Sequence, residues 1–105
     1  MLPKHTRLSR REFTALFKRG NRRSSPHFSA IVGNIGETQA FSAVTSKKVS
    51  PKAVVRNKVR RKIYGVLMHI SKTNPSVPPA IIFAKKGTET LVFHDMLSEL
   101  TGLLK

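Results

Sequence analysis

The sequence predicts an α+β domain, a small sheet carrying helices on one face. Three observations predict it. Apolar residues recur at helical spacing in two stretches, Phe13, Leu16, Phe17 and Val55, Val59, Ile63, Val66, Leu67, Ile70. They alternate at strand spacing in two others, Phe28, Ala30, Val32 and Phe41, Ala43. The run Ala80-Ile81-Ile82-Phe83-Ala84 is wholly apolar and short, which suits a central strand buried on both faces. At 105 residues the chain forms one domain, residues 1–105, with one core.

The first helix is announced by Leu8-Ser9-Arg10-Arg11-Glu12-Phe13. Ser9 can accept from the backbone of Glu12, Glu12 can reach back to Ser9, and Leu8 and Phe13 have the spacing of a hydrophobic staple. Lys18 and Arg19 suit the negative helix end, and Gly20 stops it. Residues 21–26, Asn-Arg-Arg-Ser-Ser-Pro, read as a polar connection. His27 to Gly33 reads as a strand, residues 34–38 as a turn, and Gln39 to Thr45 as the returning strand of a hairpin.

Ser50-Pro51 is expected to open the second helix, with Ser as cap and Pro at the first helical position. Gly65 inside it costs about 1 kcal/mol relative to Ala, which points to close packing or to a bend. Asn74-Pro75 ends it. After the strand 80–84, Lys85-Lys86-Gly87 forms a turn, and Met96, Leu97, Leu100, Leu103 and Leu104 mark a last helix starting near Phe93. Strands 39–45 and 80–84, joined through a helix, are expected to be parallel, with the right-handed crossover that general sterics favour.

The charge is extreme and uneven. Twenty Lys and Arg face five acids, a net charge of +15. Residues 1–62 hold 16 Lys/Arg against two acids, and residues 63–105 hold four against three. Such an excess opposes compaction unless counter-charge is supplied. It points to nucleic acid as partner, with an anionic membrane surface as the competitor. No apolar run approaches the ~20 residues that span a membrane. There are no cysteines, which rules out disulfides and thiolate metal sites and fits the cytoplasm.

The basic charge concentrates at 47–62. At about 100° per residue the apolar positions of the second helix share one arc. Arg56, Asn57, Arg60 and Arg61 form a ridge of planar donors beside it, suited to phosphate or base edges. Lys58 and Lys62 lie on the far flank. Lys47, Lys48 and Lys52 extend the surface around the helix start, itself favourable to anions. Arg10, Arg11, Lys18, Arg19, Arg22 and Arg23 either extend this surface or form a second patch. Phe13, Phe17 and Phe28 are candidates for stacking on unpaired bases, against the alternative that they are core. A protein-only active site is not expected. The acids are dispersed, His5, His27, His69 and His94 are isolated, and no phosphate loop, nucleophile motif or zinc spacing is present.

With these residues in view, the chain resembles the protein subunit of bacterial ribonuclease P. The signature of that family's basic helix stands here as Ser46-Lys47-Lys48, then Ala53-Val54, Arg56-Asn57 and Arg60-Arg61. Leu8, Phe13, Phe17-Lys18 and Gly20 match its opening, and Ile81-Ile82 with Ala84 its last strand. The resemblance implies an α/β sandwich whose β-α-β crossover is left-handed, the fold shared with the second domain of a small-subunit ribosomal protein. It implies that a separate RNA with Mg²⁺ is the catalyst and that the protein binds no metal tightly. It implies that the complex hydrolyses precursor tRNA to leave the mature 5′ end. Lys47, Lys48, Lys52, Arg56, Asn57, Lys58, Arg60, Arg61 and Lys62 would bind the catalytic RNA. Phe13, Phe17, Phe28 and Ile31 would bind the 5′ leader of precursor tRNA. The protein is expected in the cytoplasm, off the membrane, and monomeric apart from RNA.

The chain departs from the family pattern at Lys58 and Tyr64, where arginines are common. Ile31 stands where the first strand often carries an aromatic, which removes one stacking platform. Pro51-Lys52 replaces the usual Gly-Asn. The alternatives are a structural RNA-binding protein of ribosomal type, and DNA binding through the basic helix without a helix-turn-helix partner.

Overall fold

A computed structural model describes residues 7–34, 39–74 and 76–104. The elements are α1 (Arg10–Arg19), β1 (Asn21–Ser24), β2 (Phe28–Val32), β3 (Phe41–Val44), α2 (Ala53–Thr73), β4 (Ala80–Ala84), a single 3-10 turn (Thr88–Thr90) and α3 (Phe93–Leu103). The strands form one mixed sheet in the order β1-β2-β4-β3. β1 and β4 each run antiparallel to β2, and β3 runs parallel to β4. The architecture is α+β, and β3-α2-β4 is the parallel unit that the element order predicts.

Two expectations about the sheet fail. The strands at 27–33 and 39–45 do not form a hairpin, because β4 lies between them. An all-apolar strand gains most when both its faces and both its edges are covered, so Ala80–Ala84 takes the centre and β3 moves outward. Most of the turn expected at 34–38 lies outside the described residues, as does Pro75. The polar connection at 21–26 instead contains β1, paired from Asn21↔Val32 to Ser24↔Ser29. An edge strand needs only one neighbour and no alternating apolar face, so Asn-Arg-Arg-Ser carries little strand signal in sequence.

Helices also cover both faces of the sheet, not one. On the first face Phe28, Ala30, Val32, Phe41, Ala43, Ala80 and Ile82 pack against Val59, Ile63, Val66, Leu67 and Ile70 of α2 and Met96 and Leu100 of α3. On the second, Ile31 and Ile81 pack under Leu16 of α1, flanked by Leu8, Phe13, Val44 and Phe83. The period of two along each strand separates the two sets.

Local chemistry fixes the helix ends. Ser9 Oγ accepts from the Glu12 N–H at 3.2 Å, and Glu12 Oε1 accepts from the Ser9 N–H at 2.9 Å, closing the predicted capping box. The Ser9 backbone and hydroxyl together hold the Glu12 carboxyl below the usual carboxylate range. Gly20 ends α1 with ordinary φ of −71°. It is needed for close approach instead, since a Cβ there would lie 2.5 Å from Ile31 Cγ2. Ser50-Pro51 does not begin α2. The N-cap is Lys52, with no side-chain cap, and the Ser50 hydroxyl accepts from the Lys52 N–H just before the helix at 3.1 Å. Gly65 is exposed within a continuous helix, where an added Cβ would meet Phe93 at an ordinary 3.8 Å, so close packing does not require it. α3 starts at Phe93 with no side-chain cap on Val92, which explains its weak start signal.

Candidate nucleic-acid interface

The basic surface is built on the side of α2 that the core leaves over. Lys58 and Arg61 are exposed, and Arg56, Asn57, Arg60 and Lys62 are half-buried. Arg56 donates from Nη1 to the Ser50 carbonyl at 2.9 Å, tying the approach segment to the helix. Thr45 Oγ1 donates to the Arg56 carbonyl at 3.4 Å, which links the end of β3 to the same turn. Arg60 donates from Nη2 to Asn57 Oδ1, one turn back. That bond gives Asn57 a reason to be Asn: its carbonyl orients the Arg60 fork and its amide stays available. Lys62 folds onto the protein and donates to the Leu91 carbonyl at 2.9 Å, so its ammonium is partly spent on structure.

Lys47 and Lys48 are exposed on a turn that Ser46 shapes. The Ser46 hydroxyl accepts from the Lys48 N–H and its carbonyl from the Val49 N–H. Val49, 5% exposed, pins this turn to the core. Lys52 is exposed at the helix start. All nine predicted positions thus fall on α2 or the segment leading into it.

Among the described residues no carboxylate forms an ion pair with a Lys or Arg of α2. Arg56/Arg60 and Lys58/Lys62 are like charges at i,i+4, each pair destabilising the helix by about 0.2–0.5 kcal/mol. A polyanion against this face would relieve that repulsion.

The second site is a cleft between α1 and the sheet face below it. Phe17 is 43% exposed. Its ring stacks beside Phe13, centroids 6.3 Å apart, and meets the Phe83 edge at 6.5 Å. The Arg22 guanidinium lies over the Phe17 ring, 5.3 Å from its centroid. Beside them an open hollow of about 280 Å³ is lined by Arg22, Ser24, Ser29, Ile31 and Phe83. Two rings, a cation and hydroxyls in one cleft suit unpaired bases and their phosphates.

Two of the four predicted leader residues offer this cleft little or no accessible surface. Phe28 is 0% exposed and belongs to the opposite, α2-facing core. Phe28 and Ile31 are three residues apart on one strand, so they point to opposite faces and cannot line one groove. Ile31 lies on the correct face but is 2% exposed, held beneath Leu16 and Gly20. Phe13 and Phe17 remain. Sequence reasoning missed Phe83, and it named Arg22 only within a basic group that could form a second patch, without joining it to the aromatic residues. Phe83 was legible as the one aromatic in the apolar run, on the same parity as Ile81. Arg22 required knowing that residues 21–24 form a strand.

Tyr64, where an arginine is usual in the resemblance, has structural work. Its hydroxyl accepts from the Ala43 N–H on the outer edge of β3 at 3.2 Å. It also lines a separate hollow of about 460 Å³ with Arg7, Leu8, Ser9, Glu12, Phe41 and Ser42. His27 is not isolated as expected. Its Nδ1 lies 2.9 Å from Glu99 Oε1, and its N–H donates to Glu99 Oε2 at 2.8 Å. The Ser25 hydroxyl donates to the same Oε2 at 2.5 Å. Burial acts to raise the Glu99 carboxyl, and these hydrogen bonds outweigh it, leaving it below the usual range. The three bonds fasten α3 to the β1–β2 loop. His69 sets its ring edge-on to Phe93. Among the described residues no three His, Asp or Glu converge to hold a metal, and no helix is long and apolar enough to cross a membrane.

Comparison with known proteins bears on this arrangement. Residues 2–105 match the family model described as Ribonuclease P. The ribonuclease P protein component of Rippkaea orientalis is 35% identical, aligned over 98% of this chain and 87% of that protein. The component of Synechocystis is 33% identical over 82% and 73%, and that of Streptococcus pyogenes 30% over 90% and 79%. Among solved structures, the RNase P protein of Thermotoga maritima superposes with a TM-score of 0.78 at 24% identity, covering 94% of each chain. A Staphylococcus aureus RNase P protein mutant gives 0.79 at 22%, covering 96% of this chain and 86% of that one.

Proposed function

The chain belongs to the ribonuclease P protein family, and on that premise we propose how its two surfaces divide the work of the holoenzyme. The α2 ridge lies against the catalytic RNA. Arg56, Arg60 and Arg61 contact phosphates, and Asn57 adds a neutral amide. The cleft between α1 and the sheet takes the 5′ leader of precursor tRNA, so the complex holds both sides of the phosphodiester to be cut. The RNA performs the hydrolysis with Mg²⁺, and the protein lowers the electrostatic cost of bringing two polyanions together. The cytoplasm is where this reading places it.

The observation that carries the reading is the pairing of an uncompensated basic ridge on one element with an aromatic cleft under another. A structural RNA-binding protein needs the ridge and has no use for the cleft. The test is precursor-tRNA cleavage by the catalytic RNA at limiting Mg²⁺, with and without the protein. Stimulation, and tighter binding of leader-bearing than of leaderless tRNA, is expected. A folded preparation that stimulates neither would leave only the structural role.

A further inference from the structure

The leader residue that Ile31 cannot supply has a replacement on a neighbouring strand. The sheet register puts Ser24 beside Ser29, Ser29 beside Phe83, and Phe83 beside Val44, one row running across all four strands. This row shares the face of Ile31 and Ile81. The Ile31–Ile81 rung is sealed beneath α1, at 2% and 0% exposure. On the Ser24–Ser29–Phe83 row, Ser24 is exposed and Ser29 and Phe83 are half-buried.

The chemistry of that row is uneven in a useful way. Two of its members are small and carry hydroxyls, and with Phe83 they line one open hollow. The Phe83 ring is braced by Phe17, edge-to-face. Cations flank the hollow. Arg22 lines the same hollow, and Lys85 donates from Nζ to the Ser24 hydroxyl at 2.6 Å. An aromatic face, adjacent hydroxyls and two cations are what an unpaired nucleotide needs: stacking for the base, hydrogen bonds for its edge and charge for its phosphate.

We propose that the row Ser24–Ser29–Phe83 is a subsite for a single unpaired leader nucleotide, whose base stacks on Phe83 above the two serines. The stacking platform has moved from β2 to β4. This rests on the assignment of the cleft to the leader and adds which residue reads it.

The test uses the holoenzyme assembled from this protein and its catalytic RNA, with precursor tRNAs carrying 2-aminopurine at successive leader positions. One position should show quenched fluorescence that Phe83→Ile restores and Phe83→Tyr keeps. Phe83→Ile should weaken leader-bearing tRNA about tenfold, in line with base–aromatic stacking elsewhere, and leave leaderless tRNA unchanged. Ser29→Leu, which fills the hollow beside the ring, should do the same. Melting curves of both free variants confirm that they fold. Equal losses on the two tRNAs, or a quenching profile that Phe83→Ile leaves intact, would overturn the subsite. If the unaltered holoenzyme itself shows no preference for the leader, the cleft assignment fails instead.

Discussion

The two faces of the sheet use the same four strands and reach opposite ends. Toward α2 and α3, Phe28, Val32, Phe41 and Ile82 are all at 0% exposure. Toward α1, only Leu16, Ile31 and Ile81 are fully covered, while Phe13, Val44 and Phe83 stay partly open and Phe17 faces solvent. The difference lies in the cover. A 21-residue and an 11-residue helix close one face, and a single 10-residue helix closes half of the other. Alternate residues of one strand therefore face different surroundings: even positions in β2 and β4 enter the sealed core, while the odd positions divide between Ile31 and Ile81, buried under α1, and Ser29 and Phe83, left partly open.

The largest expected effect lies on the sealed face. Phe28→Ala should cost about 3–5 kcal/mol, as large-to-small changes in packed cores do, read as a drop in melting temperature. Phe17→Ala should cost well under that and instead weaken leader-bearing tRNA selectively. Equal destabilisation by the two would erase the contrast between the faces. Next comes the seam where α1 meets the sheet. Gly20→Ala puts a methyl 2.5 Å from Ile31 Cγ2, and overpacking of this kind costs about 1–3 kcal/mol in a denaturant titration.

Outside both faces, Arg61→Ala should leave the melting temperature alone and flatten the salt dependence of binding to the catalytic RNA by about one counterion. Arg56→Ala should do the same and also loosen the approach to α2, because its guanidinium holds the Ser50 carbonyl. Identical melting curves for the two variants would remove that structural role. The smallest effect concerns Glu99. Its carboxyl titrates lower in the fold than in the unfolded chain, where the value is about 4.3. Its contribution is therefore present above that pH and is lost as pH falls through the folded value. Glu99→Gln should make stability, measured by urea midpoint, fall less steeply below about pH 4.3. Parallel curves would mean that the bonds to Ser25 and His27 contribute nothing net.

What the sequence showed was local. The capping box at Ser9 and Glu12, the buried stripe from Val59 to Ile70 and the basic positions of α2 depend on neighbours within a turn, and each stands where expected. What it hid was pairing at a distance. Inserting β4 between β2 and β3 depends on which strand gains most from the centre, a property of the whole sheet. β1 was invisible because an edge strand needs no apolar face. His27 and Glu99 are 72 residues apart, and no spacing rule joins them. Phe28 and Ile31 are a different case. Their odd separation along one strand was readable, and strand parity alone excludes a shared groove.

The Tyr64 hydroxyl has a consequence beyond its hydrogen bond. β3 is the outer strand on its side of the sheet, and the exposed N–H of such a strand is a template on which another polypeptide can extend the sheet. The phenol occupies the Ala43 N–H, and the Leu8 N–H has already taken the Phe41 carbonyl at 3.0 Å. Two consecutive sites for strand addition are thereby closed. The side chain at position 64 thus guards a sheet edge, a task that an arginine, with donors and no acceptor, could not perform at the Ala43 N–H.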